Sequence, residues 1–462
     1  MRFDVAVIGS GPGGYVAAIK AAQTGARVAL IERDQIGGTC LNCGCIPTKT
    51  LIANAEVLHQ IKRAEEFGIS VGSITFDYAN MKERKDGVIK KIRSSLEGLI
   101  RSNKIEIFMG SASFIDRTHL KIMGERPTTI EADKIIIATG SKPMDIASLP
   151  CDHKKVFNST SILEMTSLPK SMVIVGGGYI GCEFASLYAE LGVKVTIVEA
   201  LDGIVKLQGK TISEALLKIF MKRGVAVELG SGVKQLEESA TGLKVHLNSG
   251  KIIESDIALI SIGRSVVSDS LKIENAGIAL DNKGRILVDS RMQTNIDGIY
   301  AIGDVTGKVM LAHVASHQGI VAAQNATGQV SYMHYHAVPA VIFTSPEIAT
   351  VGMTIEEALQ EGFAAKSSKF PLQALGKAQA TKDIDGFVEI IFDSGSSQIL
   401  GAQVIGHGAS DLISEMALAI QNELTLECVT QTIHAHPTMA EAWLEASLIA
   451  SGTPIHFPPK GV

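Results

Sequence analysis

One feature constrains this 462-residue chain more than any other: it contains the same supersecondary unit twice. Asp4 to Ile8 reads as a strand, followed by Gly9-Ser10-Gly11-Pro12-Gly13-Gly14, a small-residue helix from about Tyr15 to Thr24, and a strand from Arg27 to Ile31 ending at Glu32. Met172 to Val175, Gly176-Gly177-Gly178-Tyr179-Ile180-Gly181, a helix to about Leu191 and a strand from Val193 to Val198 ending at Glu199 repeat the pattern. Each is a βαβ unit, and Gly9 to Gly176 and Glu32 to Glu199 are both 167 positions apart. Glycine suits such a junction because a Cβ would block the turn, the approach of a pyrophosphate or the packing of helix on strand. The helix N-terminus then offers N–H groups and a positive dipole end to phosphate. A single loop of this kind is weak evidence, since glycine turns also serve structure alone. Two loops, each with an acid 18 residues past the last glycine, predict two nucleotide sites, with Glu32 and Glu199 accepting ribose hydroxyls.

Composition narrows the class. Forty-three Lys and Arg against 48 Asp and Glu leave a net charge of −5, which gives no basic surface for nucleic acid. No apolar run approaches the roughly 18 residues of a membrane span. The first residues pass straight into a strand pattern without a basic leader, so a cytoplasmic protein is expected. The length suits about three domains. The expected fold is α/β: two Rossmann-like dinucleotide-binding domains plus a C-terminal α+β dimerisation domain. The boundaries are drawn at 1–145, 146–265, a central segment 266–336 returning to the first domain, and 337–462. Ile135 to Ser141 reads as a buried strand ending in a glycine turn at the exit of the first domain, Ile260 to Arg264 as a related signal closing the second unit, and Gly298 to Asp304 as another strand ending beside a ligand. The charge run Lys82 to Arg93 reads as the wet face of an amphipathic helix.

The second acid also carries specificity. A carboxylate at Glu199 would repel a 2′-phosphate, and Ala200 to Val205 holds no Arg or Lys to receive one, so NAD is expected over NADP.

Three of the six cysteines, Cys40, Cys43 and Cys45, crowd into Gly37-Gly38-Thr39-Cys40-Leu41-Asn42-Cys43-Gly44-Cys45-Ile46-Pro47-Thr48-Lys49. A metal site lacks a second matching cysteine pair, and no metal is expected. A structural disulfide suits an oxidising compartment, which leaves redox chemistry, with thiolates favoured at a helix start and Lys49 about one turn in. A further motif lies near the C-terminus. In His434-Ala435-His436-Pro437-Thr438-Met439-Ala440-Glu441, a helix beginning after the proline would return Glu441 to His436 and make an acid–base couple. His434 and the scattered histidines are read as structural.

Together GGTCLNxGCIPxK, the two glycine loops, AIGD and HPTxxE resemble the flavin-dependent disulfide oxidoreductases nearly end to end, nearest the members that oxidise dihydrolipoamide. The resemblance implies a redox disulfide between Cys40 and Cys45 above FAD, with Cys45 facing the flavin and Cys40 exchanging with substrate. Gly9, Gly11, Gly14, Glu32, Gly38, Thr39, Lys49, Ala112 in a turn, Gly140, Asp304 and Ala312 would contact FAD. Gly176, Gly178, Gly181, Glu199 and Gly263 would hold NAD. Glu183 is either the acid that pairs with the motif lysine or a generic first-turn acid. Cys43 departs from the family's aliphatic residue, as a small buried hydrophobe or as a thiol able to scramble pairings. The family also implies a homodimer sharing each site, with His436 and Glu441 from the second subunit. Its partners would be the lipoyl domains of a 2-oxoacid dehydrogenase acyltransferase or a glycine cleavage carrier. A glutathione-reductase-like enzyme is disfavoured by Glu199, and a non-catalytic redox sensor by the filled catalytic positions.

Overall fold

The computed structural model describes residues 1–240 and 242–458. It first runs through β1 (Arg2–Ile8), α1 (Pro12–Gln23), β2 (Val28–Glu32), α2 (Gly38–Cys43), α3 (Cys45–Lys62), α4 (Tyr78–Ser102), β3 (Glu106–Met109), β4 (Ser111–Phe114), β5 (His119–Met123), β6 (Thr128–Ile137), β7 (Ser141–Pro143) and β8 (Val156–Asn158). Next come β9 (Ser171–Val175), α5 (Tyr179–Glu190), β10 (Lys194–Val198), α6 (Lys210–Lys222), β11 (Ala226–Glu228), β12 (Val233–Ser239), β13 (Gly242–Leu247), β14 (Ile252–Ser255) and β15 (Ile257–Ile260). A third stretch carries β16 (Arg264–Val266), β17 (Ile299–Ala301) and α7 (Ala312–Ala326). The last holds β18 (Ala340–Ile342), β19 (Glu347–Gly352), α8 (Ile355–Gln360), β20 (Ala365–Pro371), α9 (Gly376–Thr381), β21 (Phe387–Asp393), β22 (Ile399–Gly406), α10 (Ala409–Gln421), α11 (Leu426–Gln431) and α12 (Glu441–Ala450). Two compact units result, and each is discontinuous in sequence: residues 1–168 with 262–334, and 169–261 with the chain from Tyr335.

In the first unit the sheet order is β3-β2-β1-β6-β5-β4, with β17 added on β6. The strands β3, β2, β1, β6 and β17 run parallel, and β4 and β5 continue antiparallel. Val5 to Ile8 and all of β2 are buried, as strands covered on both faces must be. The core joins Phe3, Ile8, Ile31, Phe114, Ile135 and Ile299. Helices α1 and α7 approach at glycine contacts: a Cβ on Gly13 would sit 2.9 Å from the Ala315 carbonyl oxygen, and one on Gly319 2.5 Å from that of Gly13. This close crossing brings the start of α7 and the turn after β17 to the side of the first glycine loop.

The second unit repeats the parallel core as β11-β10-β9-β15, adds an antiparallel β12-β13-β14 sheet, and closes with the antiparallel sheet β18-β19-β22-β21-β20. One cluster packs Val388, Ile390, Ala402 and Val404 of that last sheet with Ile413 and Met416 of α10 and the fully buried Trp443 of α12.

Three local expectations change. Helix α1 starts at Pro12 rather than near Tyr15, because Gly11 supplies the N-cap and proline fixes φ for the first turn. Ala112 lies in strand β4 rather than in a turn. The charge run on α4 is not uniformly wet: Lys85 is buried, its Nζ donating to the Leu163 carbonyl at 2.9 Å and lying 2.8 Å from Asp86 and 3.2 Å from Glu164. Among the described residues, no helix is long and apolar enough to cross a membrane.

Candidate active site

The two glycine loops share the same backbone hydrogen bonds. Gly9 N–H donates to Ile31 at 2.8 Å and Gly176 N–H to Val198 at 2.9 Å. One Glu32 oxygen accepts from Ser10 N–H at 2.9 Å and the other from Asp34 N–H at 2.9 Å. Glu199 accepts from Gly177 N–H at 2.6 Å and Leu201 N–H at 2.8 Å. Both acids are therefore fixed against their loops. A Cβ on Gly14 would collide with the Gly9 carbonyl oxygen, and one on Gly181 with that of Gly176, so these glycines serve helix-on-strand packing. At Gly11 and Gly178 a Cβ would meet no protein atom within 4 Å. That open space, at the N-cap of α1 and of α5, fits the pyrophosphate of a dinucleotide at each loop.

The cysteine segment folds onto the first loop. Gly38, at φ +59°, would place a Cβ 2.6 Å from the Gly11 Cα, and Gly37 N–H donates to the Ser10 hydroxyl at 3.1 Å, which itself donates to Glu32 at 2.7 Å. Cys40 lies inside α2 and Cys45 is the first residue of α3. The Cys40 thiol hydrogen-bonds Cys45; that bond, with burial, drives its pKa far above the usual thiol range, against the opposing charge of Lys49. Cys40 is the third residue of α2, and the charge of Lys49, one turn into the helix that Cys45 begins, favours its thiolate against the neighbouring sulfur and burial. Tyr15, half-buried, has its phenol pKa raised by burial and by Cys40. It adjoins the pair, and sequence reasoning passed over it although it directly follows Gly14.

Cys43 turns elsewhere. Burial raises its pKa, and its neighbours are the Thr160 and Thr39 side chains, Arg264 and Asp34. Arg264 donates to the Ser141 hydroxyl at 2.7 Å and to the Ser141 carbonyl at 2.8 Å, and the Ser141 hydroxyl bonds Asp304. Asp304 is thus held in a network with Ser141 and Arg264, the last residues of two of the strand-and-glycine-turn segments. Gly303 N–H donates to the buried Gln318 at 2.6 Å, and Ala312 opens α7. Gly140 has φ +69° and accepts from Val267 N–H at 3.0 Å, and Gly110 N–H donates to the Glu32 carbonyl at 2.7 Å, just before Ala112. Gly263 belongs to the first unit, its carbonyl accepting from Met144 N–H at 3.0 Å. In the second unit Glu183 is buried and accepts from Phe343 N–H at 3.0 Å.

His436 and Glu441 meet as their spacing predicts. The cis His436–Pro437 bond precedes a turn into α12, His436 Nδ1 lies 2.9 Å from one Glu441 oxygen, and the other accepts from Thr438 N–H at 2.8 Å. Burial pushes the Glu441 pKa up, but the Thr438 N–H, His436 and, more weakly, His456 outweigh it and hold the carboxyl below its ordinary range. The His436 ring is 76% exposed, so its Nε2 is open to a reactant. His434 is buried between Glu415 and the Thr432 carbonyl, each at 3.0 Å, in keeping with a structural role.

Paired dinucleotide loops, with two thiols folded onto one of them, define an oxidoreductase that passes electrons between a nucleotide and a sulfur pair. Residues 3–319 match the model of the pyridine nucleotide-disulphide oxidoreductases and residues 338–447 that of their dimerisation domain, and the chain belongs to this family. It is 50% identical over 459 residues to the dihydrolipoyl dehydrogenase of Chlamydia pneumoniae, with 99% of each chain covered. To that of Geobacillus stearothermophilus it is 41% identical over 461 residues, covering 99% of this chain and 98% of the relative. Among solved structures, LpdA from Mycobacterium tuberculosis superposes with a TM-score of 0.92 at 29% identity, covering 97% of this chain and 99% of that one. The HOCl-induced flavoprotein disulfide reductase RclA from Escherichia coli does so with 0.86 at 30%, covering 96% and 99%.

Proposed function

We propose that this protein oxidises protein-bound dihydrolipoamide to lipoamide with reduction of NAD⁺, through a Cys40–Cys45 disulfide and FAD. The observation that carries the reading is the thiol pair, hydrogen-bonded and folded onto a dinucleotide loop. FAD is held by residues of 1–145 and 266–336: Gly9, Gly11, Gly14, Glu32, Gly38, Thr39, Lys49, Ala112, Gly140, Asp304 and Ala312. NAD is held by the 146–265 segment through Gly176, Gly178, Gly181, Glu183 and Glu199, and 337–462 forms the homodimer. When bound, the cofactors would carry the electron pair from the protein dithiol to the nicotinamide, which would receive it as hydride.

The chain's own residues perform the sulfur exchange. His436, its Nδ1 engaged by Glu441, takes a proton at Nε2 from one substrate thiol. The resulting thiolate attacks Cys40 Sγ, the Cys40–Cys45 bond breaks, and Cys45 leaves as a thiolate. The second substrate sulfur then attacks the first, closing the lipoamide disulfide and expelling Cys40, which takes up a proton. The end state pairs a Cys40 thiol with the Cys45 thiolate, two sulfurs within hydrogen-bond reach of each other. The natural substrate is the lipoyl group carried on a 2-oxoacid dehydrogenase acyltransferase or a glycine cleavage carrier.

The test is an anaerobic titration of the holoenzyme with free dihydrolipoamide, followed by NAD⁺. Long-wavelength absorbance that appears and is then discharged as NADH forms supports the reading, and flavin that stays oxidised overturns it. NADPH rates equal to NADH rates would overturn the nucleotide assignment to Glu199.

A further inference from the structure

Helix α4 reaches both of the helices that carry the thiol pair. Toward α3, Arg84 donates to the Thr50 carbonyl at 3.2 Å and to Asn54 Oδ1 at 3.1 Å. Toward α2, Arg93 Nε donates to Asn42 Oδ1 at 2.8 Å. The helix is itself anchored by the buried Lys85, which donates to the Leu163 carbonyl at 2.9 Å. Asn42 follows Cys40 by two positions and precedes Cys45 by three. Its Nδ2 donates to the Gly38 carbonyl at 2.9 Å and to the Ile36 carbonyl at 3.1 Å. These carbonyls belong to the turn in which Gly37 and Gly38 both have positive φ and Gly38 lies against Gly11. A guanidinium can only donate, so Arg93 decides which end of the Asn42 amide faces α4. With the oxygen taken by arginine, both amide N–H groups are left for the turn, and α2 is tied to the first glycine loop.

We infer that Arg93 is a positioning residue for the redox pair: by holding Asn42 it fixes α2 relative to α3 and so favours the Cys40–Cys45 disulfide over the dithiol. The reason is a difference in tolerance. A disulfide needs its sulfurs at about 2.05 Å within a narrow dihedral range, whereas two hydrogen-bonded thiols accept a wider spread of positions. Slack in α2 therefore costs the disulfide more than the dithiol. The exchange in question breaks the Cys40–Cys45 bond and closes the disulfide of an external dithiol, with two electrons and two protons passing to the two cysteines. A through-space action of the Arg93 cation would have the opposite sign, because positive charge favours a thiolate and with it the reduced pair. The assignment rests on the Cys40–Cys45 pair of the proposed function, and not on the identity of the substrate.

The test equilibrates the holoenzyme and its variants anaerobically with mixtures of reduced and oxidised dithiothreitol, then counts Cys40 and Cys45 thiols by acid quench, alkylation and mass spectrometry. At a fixed dithiothreitol ratio, the proportion of disulfide to dithiol is expected to fall about three- to tenfold in Arg93→Leu and in Arg93→Gln. Arg93→Lys, which keeps a donor, is expected to return toward wild type. Asn42→Ala should shift the ratio in the same direction, and the Arg93→Leu/Asn42→Ala double variant no further than Asn42→Ala alone. A melt of each variant accompanies the titration, and Arg93→Gln carries the comparison if Arg93→Leu folds poorly. A ratio unchanged in both variants, a rise in place of the fall, a fall that Arg93→Lys does not lessen, or additive shifts in the double variant overturns the inference alone. A wild-type chain that forms no Cys40–Cys45 disulfide overturns the proposed function and this inference with it.

Discussion

At the scale of single residues, the glycines of one loop separate into those that serve the fold and those that leave room for a ligand. Gly181 has no space for a Cβ, whereas Gly178 has ordinary φ and open surroundings. Gly181→Ala is expected to lower thermal stability or expression, while Gly178→Ala should fold normally and raise the KM for NAD⁺ on the order of tenfold, by intruding on the pyrophosphate. A thermal melt beside a KM determination separates the two. Cys45→Ser is expected to abolish turnover by removing the sulfur that leaves in the first exchange, and full retention of activity would refute its role. Residues set in a motif were legible in the sequence: the glycines, both acids, and the His436–Glu441 spacing. Tyr15, Ser141 and Arg264 were not, because each acts through a contact made in the fold: Tyr15 beside Cys40, Arg264 across 123 positions to Ser141. Cys43 was ambiguous in sequence, and its thiol is engaged by hydrogen bonds with the Thr160 and Thr39 side chains. Mass mapping of the oxidised protein should find Cys40 joined to Cys45 and Cys43 alkylatable.

At the scale of elements, the repeated βαβ unit was readable because an exact internal register leaves little freedom: strand, loop, helix and acid must recur together. The helix pattern of α4 was readable too, but the burial of one of its charges was not. Lys85 sits among Leu163, Glu164 and Asp86, and residues 163 and 164 reach it from nearly eighty positions away, beyond any periodicity argument. Burial raises the pKa of Asp86 and of Glu164, but Lys82 and Lys85 more than offset it, so both carboxyls titrate below their ordinary range. The help these charges give is complete near neutrality and drains away as acid protonates the carboxylates, below about pH 4. Lys85→Ala, which deletes a buried stem and a donor to Leu163, is expected to cost about 1–3 kcal/mol in chemical denaturation, and Lys85→Met, which keeps the stem, less. Equal stability of the two variants would show that the packed methylenes contribute nothing.

At the scale of the whole molecule, the proposed homodimer makes a prediction that no single-subunit reading shares. If each site takes its cysteines from one chain and His436 from the other, a Cys45→Ser protein and a His436→Gln protein are each inactive as pure dimers. Co-expressed and assembled at random, they should recover about a quarter of wild-type activity, because half the dimers then contain one intact site. Recovery of none would assign both parts to one chain. The discontinuity of the two units has a further consequence, in the order of synthesis. Strand β6 forms with the first 168 residues, but its parallel neighbour β17 is not translated until residue 299. At about 5–20 residues per second, the ribosome leaves the first unit without that strand for roughly 7–26 seconds while the chain from 169 to 299 emerges. The nascent chain therefore carries an open hydrophobic sheet edge at Ile135 to Ile137 through that interval. It is a client for whatever shields such edges at the tunnel exit, and translation pauses placed between residues 168 and 299 should raise its aggregation more than pauses placed after residue 334.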